Sequence, residues 1–109
     1  MNIKDELEEI ITLLENDEFV KAHDLCELLW RKYKADENTR EESFILKAFT
    51  NASVSLELYN MQREEHCVNV WNTYKKYEYL IDELKSINKT QYTKIKDLIY
   101  KKREQIIKW

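Results

Sequence analysis

The chain contains no glycine and no proline in its 109 residues. These two residue types give the strongest turn and strand punctuation, so their absence leaves long segments in which apolar residues recur every three or four positions. That spacing is typical of amphipathic helices. The sequence therefore predicts an all-α protein, arranged as an up-down bundle of about five helices with short connections.

Without glycine, the helix ends must use other residues that tolerate left-handed backbone or that cap with a short side chain, chiefly Asn, Asp, Ser and Thr. Four clusters of these residues divide the chain. Thr39 and Glu42 have the spacing of a capping box, and Asn88 with Gln91 is a looser version of it. The helices predicted between the clusters span residues 3–15, 18–34, 40–59, 62–85 and 89–109.

The composition predicts one domain over residues 1–109. Hydrophobic residues make up 43% of the chain, which is enough to bury a core at this length. A tandem helical repeat is the alternative architecture, but no second copy follows at a period of about 34 residues. The aromatic residues at helical spacing, including Trp30 and Tyr77, are therefore assigned to the core.

The charge pattern constrains the partners. The net charge is only −3, so neither a polyanion-binding surface nor a disordered acidic tail is indicated. The basic residues of the fifth predicted helix spread around it instead of forming one stripe, which does not favour nucleic acid as a partner. Contact with an acidic helix fits better, either the first helix of this chain or that of a second copy in a homo-oligomer.

The sequence also predicts a cytoplasmic protein. No window approaches the roughly 18 apolar residues of a membrane span, and the acidic start lacks the basic region and apolar run of a signal peptide. In that compartment Cys26 and Cys67 are expected to be reduced thiols and not a disulfide.

A polar cluster falls on the second predicted helix. At about 100° per residue, His23, Glu27 and Trp30 share one stripe. Phe19 lies on the same stripe, so we expect the imidazole and the carboxylate to point toward the aromatic, core-facing side. A carboxylate taken out of water is costly unless it is paired, and His23 is its nearest partner. Counting along antiparallel helices places Asn51 level with Glu27, which predicts a hydrogen bond between them.

Two segments resemble a known family. Residues 19–31, FVKAHDLCELLWR, are similar to the signature F-x-x-A-H-E-x-x-E-x-x-W-R of the small prokaryotic proteins known as domain of unknown function 309. Residues 46–52, LKAFTNA, are similar to that family's L-x-G-L-I-Q-x-A. The resemblance covers about residues 13–77 and implies a compact all-helical fold without an assigned activity. His23, Glu27 and Trp30 match the signature directly, whereas Asp24, Ala48 and Asn51 replace the family's Glu, Gly and Gln.

Three interpretations of the cluster are open. The first is a structural hydrogen-bond network between helices. The second is a pocket for a small polar ligand, lined by His23, Glu27, Asn51 and Trp30. The third is a metal site in which His66 or a cysteine joins His23 and Glu27, although the H-x-x-x-E spacing is not the H-E-x-x-H of zinc hydrolases.

Catalytic machinery is not recognisable. Cys26 lies one helical turn from His23 but also fits the apolar stripe, where thiols are usually inert. Phosphate-binding loops need glycine, so no nucleotide cofactor is expected. The sequence predicts no other cofactor. The predicted function is a binding or scaffolding module for a protein or a small polar ligand. The alternative is a metal-dependent or acid–base enzyme that uses His23 and Glu27.

Overall fold

The computed structural model describes residues 3–106, and every regular element in that range is a helix. The helices are α1 (Lys4–Glu15), α2 (Phe19–Ala35), α3 (Arg40–Asn60), α4 (Glu64–Tyr77), α5 (Leu80–Glu83) and α6 (Lys89–Ile106). Since α5 is a single turn, the prediction of an all-α bundle of about five helices is confirmed. Residues 107–109 of the fifth predicted helix lie outside the described residues.

Helix α3 is the centre of the bundle. It makes the two most extensive helix pairs, with α2 on one side and α4 on the other, and short turns make these neighbours antiparallel. Helix α6 packs against one side of α3, which we call the inner side. Helix α1 packs against both α6 and α2. The helices α2, α3 and α4 therefore form one layer. Helices α1, α5 and α6 cover one side of this layer.

The two sides of α3 differ in burial. Ile45, Phe49 and Leu56 are buried on the inner side, where the ring of Phe49 lies 5.9 Å from that of Tyr92 in α6. Toward α4, the Ser55 hydroxyl donates to the backbone carbonyl of Cys67 at 3.2 Å. A stripe opposite the inner side is half-buried or exposed, because no described helix covers it.

Two helix hairpins use the same turn without glycine. Asp17 and Gln62 take the left-handed conformation, with φ of 60° and 62°. Each follows a helix end in a Schellman motif, in which the next N–H bonds to a carbonyl five residues back. These bonds, Glu18 N–H to Leu13 O and Arg63 N–H to Leu58 O, are each 2.9 Å. An Asp was expected in this role in the first turn, whereas in the second a Gln takes it, two residues after Asn60.

The predicted capping box is wrong in its hydrogen bonds, although α3 begins where the motif indicates. The Thr39 hydroxyl donates backward to the Tyr33 carbonyl at 2.8 Å and caps no N–H of α3. It thereby satisfies a carbonyl that the end of α2 leaves free. The Glu42 carboxylate instead accepts from the Tyr92 hydroxyl, and from the Asn88 amide at 3.3 Å.

The fourth predicted helix is wrong beyond Tyr77. The chain bends there and resumes as α5, in which Leu80 and Ile81 are both buried. The bend turns these adjacent side chains inward together, whereas Tyr79 is left 58% exposed. Tyr100 of α6 holds the bend, because its hydroxyl donates to Glu78 at 2.6 Å.

Within residues 3–106, none of the helices combines the length and the apolar character that crossing a bilayer would require.

Candidate functional site

His23 and Glu27 lie at the boundary of the core and not inside it. Their side chains are 28% and 33% exposed, which corrects the expectation that both are core-facing. The buried side chains of α2 are Phe19, Ala22, Cys26, Leu29 and Tyr33. The centre of this buried stripe lies about 80° around the helix from His23 and about 120° from Glu27.

The side chains that contact His23 and Glu27 lie on the surface of α2. The carboxylate of Glu27 lies 3.6 Å from His23 Nε2 and 2.9 Å from Arg31 Nη2. On the other side of the imidazole, Nδ1 lies 3.1 Å from Asp24 Oδ1. Since Arg31 and Asp24 are more than two-thirds exposed, each pair contributes at most about 1 kcal/mol to stability. Glu27 is therefore paired without being buried.

Asn51 does not reach Glu27. Its amide donates to the Lys47 carbonyl at 2.9 Å within α3, so the predicted interhelical hydrogen bond is not formed. The side chain of Lys47 joins the helices instead. Its ammonium lies 5.7 Å from the centroid of the Trp30 ring in α2 and 5.5 Å from that of Tyr77 in α4. Lys47 thus bridges three helices through two aromatic rings.

Two more lysines lie over the same rings. The ammonium of Lys34 lies 5.3 Å from the centroid of Trp30, and that of Lys76 lies 5.4 Å from the centroid of Tyr77. A cation over an aromatic face is attracted by the ring quadrupole. Among the described residues, none of the ammonium groups of Lys34, Lys47 and Lys76 forms an ion pair. Their charge is available to an incoming anion.

These side chains belong to one surface, which we call the open face. It is the outer side of the α2–α3–α4 layer, opposite the side that α1 and α6 cover. On α2 and α3 its residues recur every three or four positions, and none of them is buried. The open face consists of Val20, His23, Glu27, Trp30 and Lys34 of α2, Phe44, Lys47, Asn51, Val54 and Leu58 of α3, and Lys76 and Tyr77 of α4.

A small cavity opens beside His23, between the start of α2 and the end of α3. Its volume is about 90 Å³. Pockets for small ligands measure about 300–1,000 Å³, so this cavity fits one side chain and not a free ligand. It is lined by Phe19, Val20, His23, Val54, Glu57 and Leu58.

The predicted third metal ligand, His66, is not brought to His23 and Glu27. His66 is exposed in the first turn of α4, and α3 lies between it and His23. Packed helices lie about 8–10 Å apart, so two helix spacings separate the axes of α2 and α4 by roughly 16–20 Å. Within the described part of the chain, no group of three or more His, Cys, Asp or Glu side chains could hold a metal ion.

The cysteines are free thiols inside the bundle. Burial raises the pKa of Cys26 to about 12, so this thiol is not a nucleophile near neutral pH. Cys67 is also buried, and its Sγ lies 3.2 Å from the Ser55 hydroxyl. Neither cysteine lies on the open face.

Sequence reasoning missed part of the open face. Lys47 and Phe44 were not predicted as site residues. Tyr77 was assigned to the core, and it does pack against the core while staying partly exposed. The rings of Phe44 and Tyr77 stack at 5.3 Å on the outer side of the layer. The available signal was a second stripe on α3, at positions 44, 47, 51, 54 and 58, opposite the apolar stripe that begins at Ile45.

Comparison with known protein families, with curated proteins and with solved structures finds no match for this chain. The resemblance of about residues 13–77 to domain of unknown function 309 therefore stays a prediction.

Proposed function

We propose that the protein is a binding module that recognises another protein through the open face. One observation carries this proposal. Lys34, Lys47 and Lys76 lie over the rings of Trp30 and Tyr77 without ion-pair partners among the described residues. Both rings pack against the buried core and stay partly exposed. Aromatic residues that are partly exposed at a protein surface are typical of the centre of a binding interface.

The apolar side chains of the open face support the same proposal. Val20 is 53% exposed and Phe44 is 37% exposed. Together with the half-buried Val54 and Leu58, they give the face apolar area that a partner would remove from water. The charged chain of His23, Glu27 and Arg31 borders this area and would supply the polar rim of an interface.

Catalysis by His23 and Glu27 gains less support than binding. The cavity beside His23 holds about 90 Å³, which is too small for a substrate of ordinary size. In addition, the Glu27 carboxylate already pairs with Arg31 at 2.9 Å. At His23 a small polar ligand meets the same limit of space, so a protein partner fits the open face best.

The proposal is tested by selecting random peptides of about 16 residues from a display library against the wild-type protein. The selected peptides are then measured against the variants Lys47→Glu and Val54→Asp. Both positions lie on the open face and neither is buried, so both variants are expected to fold. Lys94→Glu is the control, because Lys94 is an exposed lysine of α6, away from the open face.

Binding should weaken at least about tenfold with both open-face variants and change little with Lys94→Glu. Peptides that bind all three variants as tightly as the wild type would contradict the proposal. A selection that enriches no peptide would contradict it as well.

A further inference from the structure

We infer that the partner presents an acidic amphipathic helix, whose aliphatic side chain enters the cavity beside His23 and whose carboxylates pair with Lys47 and Lys34. This inference rests on the proposed function and names the chemistry of the partner. It follows from the different character of the two ends of the open face.

One end of the open face suits an apolar anchor. The walls of the cavity include Phe19, Val20, Val54 and Leu58. Its volume of about 90 Å³ fits a single branched aliphatic side chain. Glu57 also lines the cavity, so a carboxylate from the partner is disfavoured at this end.

The other end of the open face is basic. Lys34 and Lys47 lie over the Trp30 ring, and Lys47 and Lys76 lie over the Tyr77 ring. Because these ammonium groups form no ion pairs within residues 3–106, a carboxylate that approaches them displaces no ion-pair partner. Charge complementarity therefore favours acidic side chains of the partner at this end.

The spacing of the two ends fits a helix. Val54 and Lys47 are seven positions apart on α3, which is two turns or about 10 Å. A partner helix that lies along α3 reaches both ends when its aliphatic residue and its carboxylate are also seven positions apart. This arrangement places both side chains on one face of the partner helix.

Single-stranded nucleic acid is the competing class of anion, and the observations favour the peptide. Base stacking needs free aromatic faces. Phe44 stacks on Tyr77 at an interplanar angle of 18°, and lysine side chains lie over Trp30 and Tyr77. The chain also carries a net charge of −3, which opposes the approach of a polyanion.

The test uses three display libraries of helical peptides of about 16 residues that differ at two fixed positions seven residues apart. One library carries leucine and glutamate at these positions, the second leucine and glutamine, and the third alanine and glutamate, in both orders. Each is selected against the wild-type protein and against Lys47→Gln, Lys34→Gln, Val54→Ser and the control Lys94→Gln. A single-stranded oligonucleotide of about 15 nucleotides is measured beside them.

On the wild type, the leucine–glutamate library should be enriched at least about tenfold over both others. Its advantage over the glutamine library should be lost on Lys47→Gln and reduced on Lys34→Gln. The advantage of the leucine–glutamate library over the alanine library should be lost on Val54→Ser. The Lys94→Gln control should preserve the advantage over both other libraries. Lys34 is exposed, so that variant remains informative even where another fails to fold.

Equal enrichment of the glutamine library, with binding that still depends on the open face, would overturn the acidic helix and leave the proposed function standing. An oligonucleotide that binds more tightly than the peptides and loses affinity with Lys47→Gln would overturn the class of partner. If no library depends on the open face, both the inference and the proposed function are wrong.

Discussion

The hydroxyl of Tyr92 donates a hydrogen bond to the carboxylate of Glu42 and so ties the first turn of α6 to the first turn of α3. Asn88 donates to the same carboxylate at 3.3 Å. Burial, followed by the nearby Glu42 carboxylate, raises the pKa of Tyr92. The phenol therefore keeps its proton and remains a donor at neutral pH.

Tyr92→Phe removes this donor and leaves Glu42 with one hydrogen bond fewer. Hydrogen bonds to charged groups are worth about 1.5–3 kcal/mol, so the free energy of unfolding in urea should fall by that amount. Tyr79→Phe is the matched control, because Tyr79 is 58% exposed and its loss of a hydroxyl should change stability by under about 0.5 kcal/mol. Equal effects of the two substitutions would show that the Tyr92–Glu42 bond does not stabilise the fold.

Gln62→Gly should stabilise the protein. Gln62 has a φ of 62°, a conformation that costs an L-residue about 1–2 kcal/mol and that glycine adopts freely. Part of this gain is offset because glycine is more flexible in the unfolded chain, so we expect a net increase of about 0.5–1 kcal/mol in the free energy of unfolding. The neighbouring Met61 has a φ of −85°, and Met61→Gly should destabilise the protein instead. A Gln62→Gly variant less stable than the wild type would contradict the assignment of the turn.

The contacts of Glu78 at the α4–α5 bend should make the protein less stable at acid pH. Burial alone would raise the pKa of Glu78, but hydrogen bonds from Tyr100 at 2.6 Å and from Lys75 at 3.1 Å outweigh it and hold the pKa below its ordinary value of 4.5. A lowered folded-state pKa gives stability that is present above pH 4.5 and is lost as the pH falls through the folded value.

Chemical denaturation from about pH 7 to about pH 3 measures this effect. Below pH 4.5, the loss of stability on acidification should be shallower in Glu78→Gln than in the wild type. Glu83→Gln is the control, because Glu83 is exposed, and its pH profile should follow that of the wild type. Coincident profiles for Glu78→Gln and the wild type would contradict the role of this carboxylate.

The helices were predictable because a single physical signal determines them. Side chains such as Leu7, Ile10 and Phe49 recur at helical spacing and are buried in the structure. The break after Tyr77 was not predictable in this way, because Leu80 and Ile81 continue an acceptable helical pattern. Only the tertiary contacts of Glu78 with Tyr100 show where the helix ends.

The membership of the candidate site was predicted only in part, since Lys47 and Phe44 were missed, and its predicted orientation is wrong. His23, Glu27 and Trp30 do share one side of α2, as their spacing indicates. The predicted core-facing stripe is centred on the aromatic residues Phe19 and Trp30. In the structure the buried side of α2 is centred closer to the small residue Ala22. Helical spacing fixes which side chains are neighbours but not which of two possible sides faces the core.

The measurement that tests this account most directly is the free energy of unfolding of the double variant His23→Gln with Glu27→Gln. If the pair lies at the surface, as its 28% and 33% exposure indicates, the three contacts that the double variant removes are worth about 0.3 kcal/mol each, so the variant should lose about 1 kcal/mol or less in total. A loss of about 2–4 kcal/mol would show instead that the pair is a buried network holding the helices together, and would contradict the open face as a surface kept free for a partner.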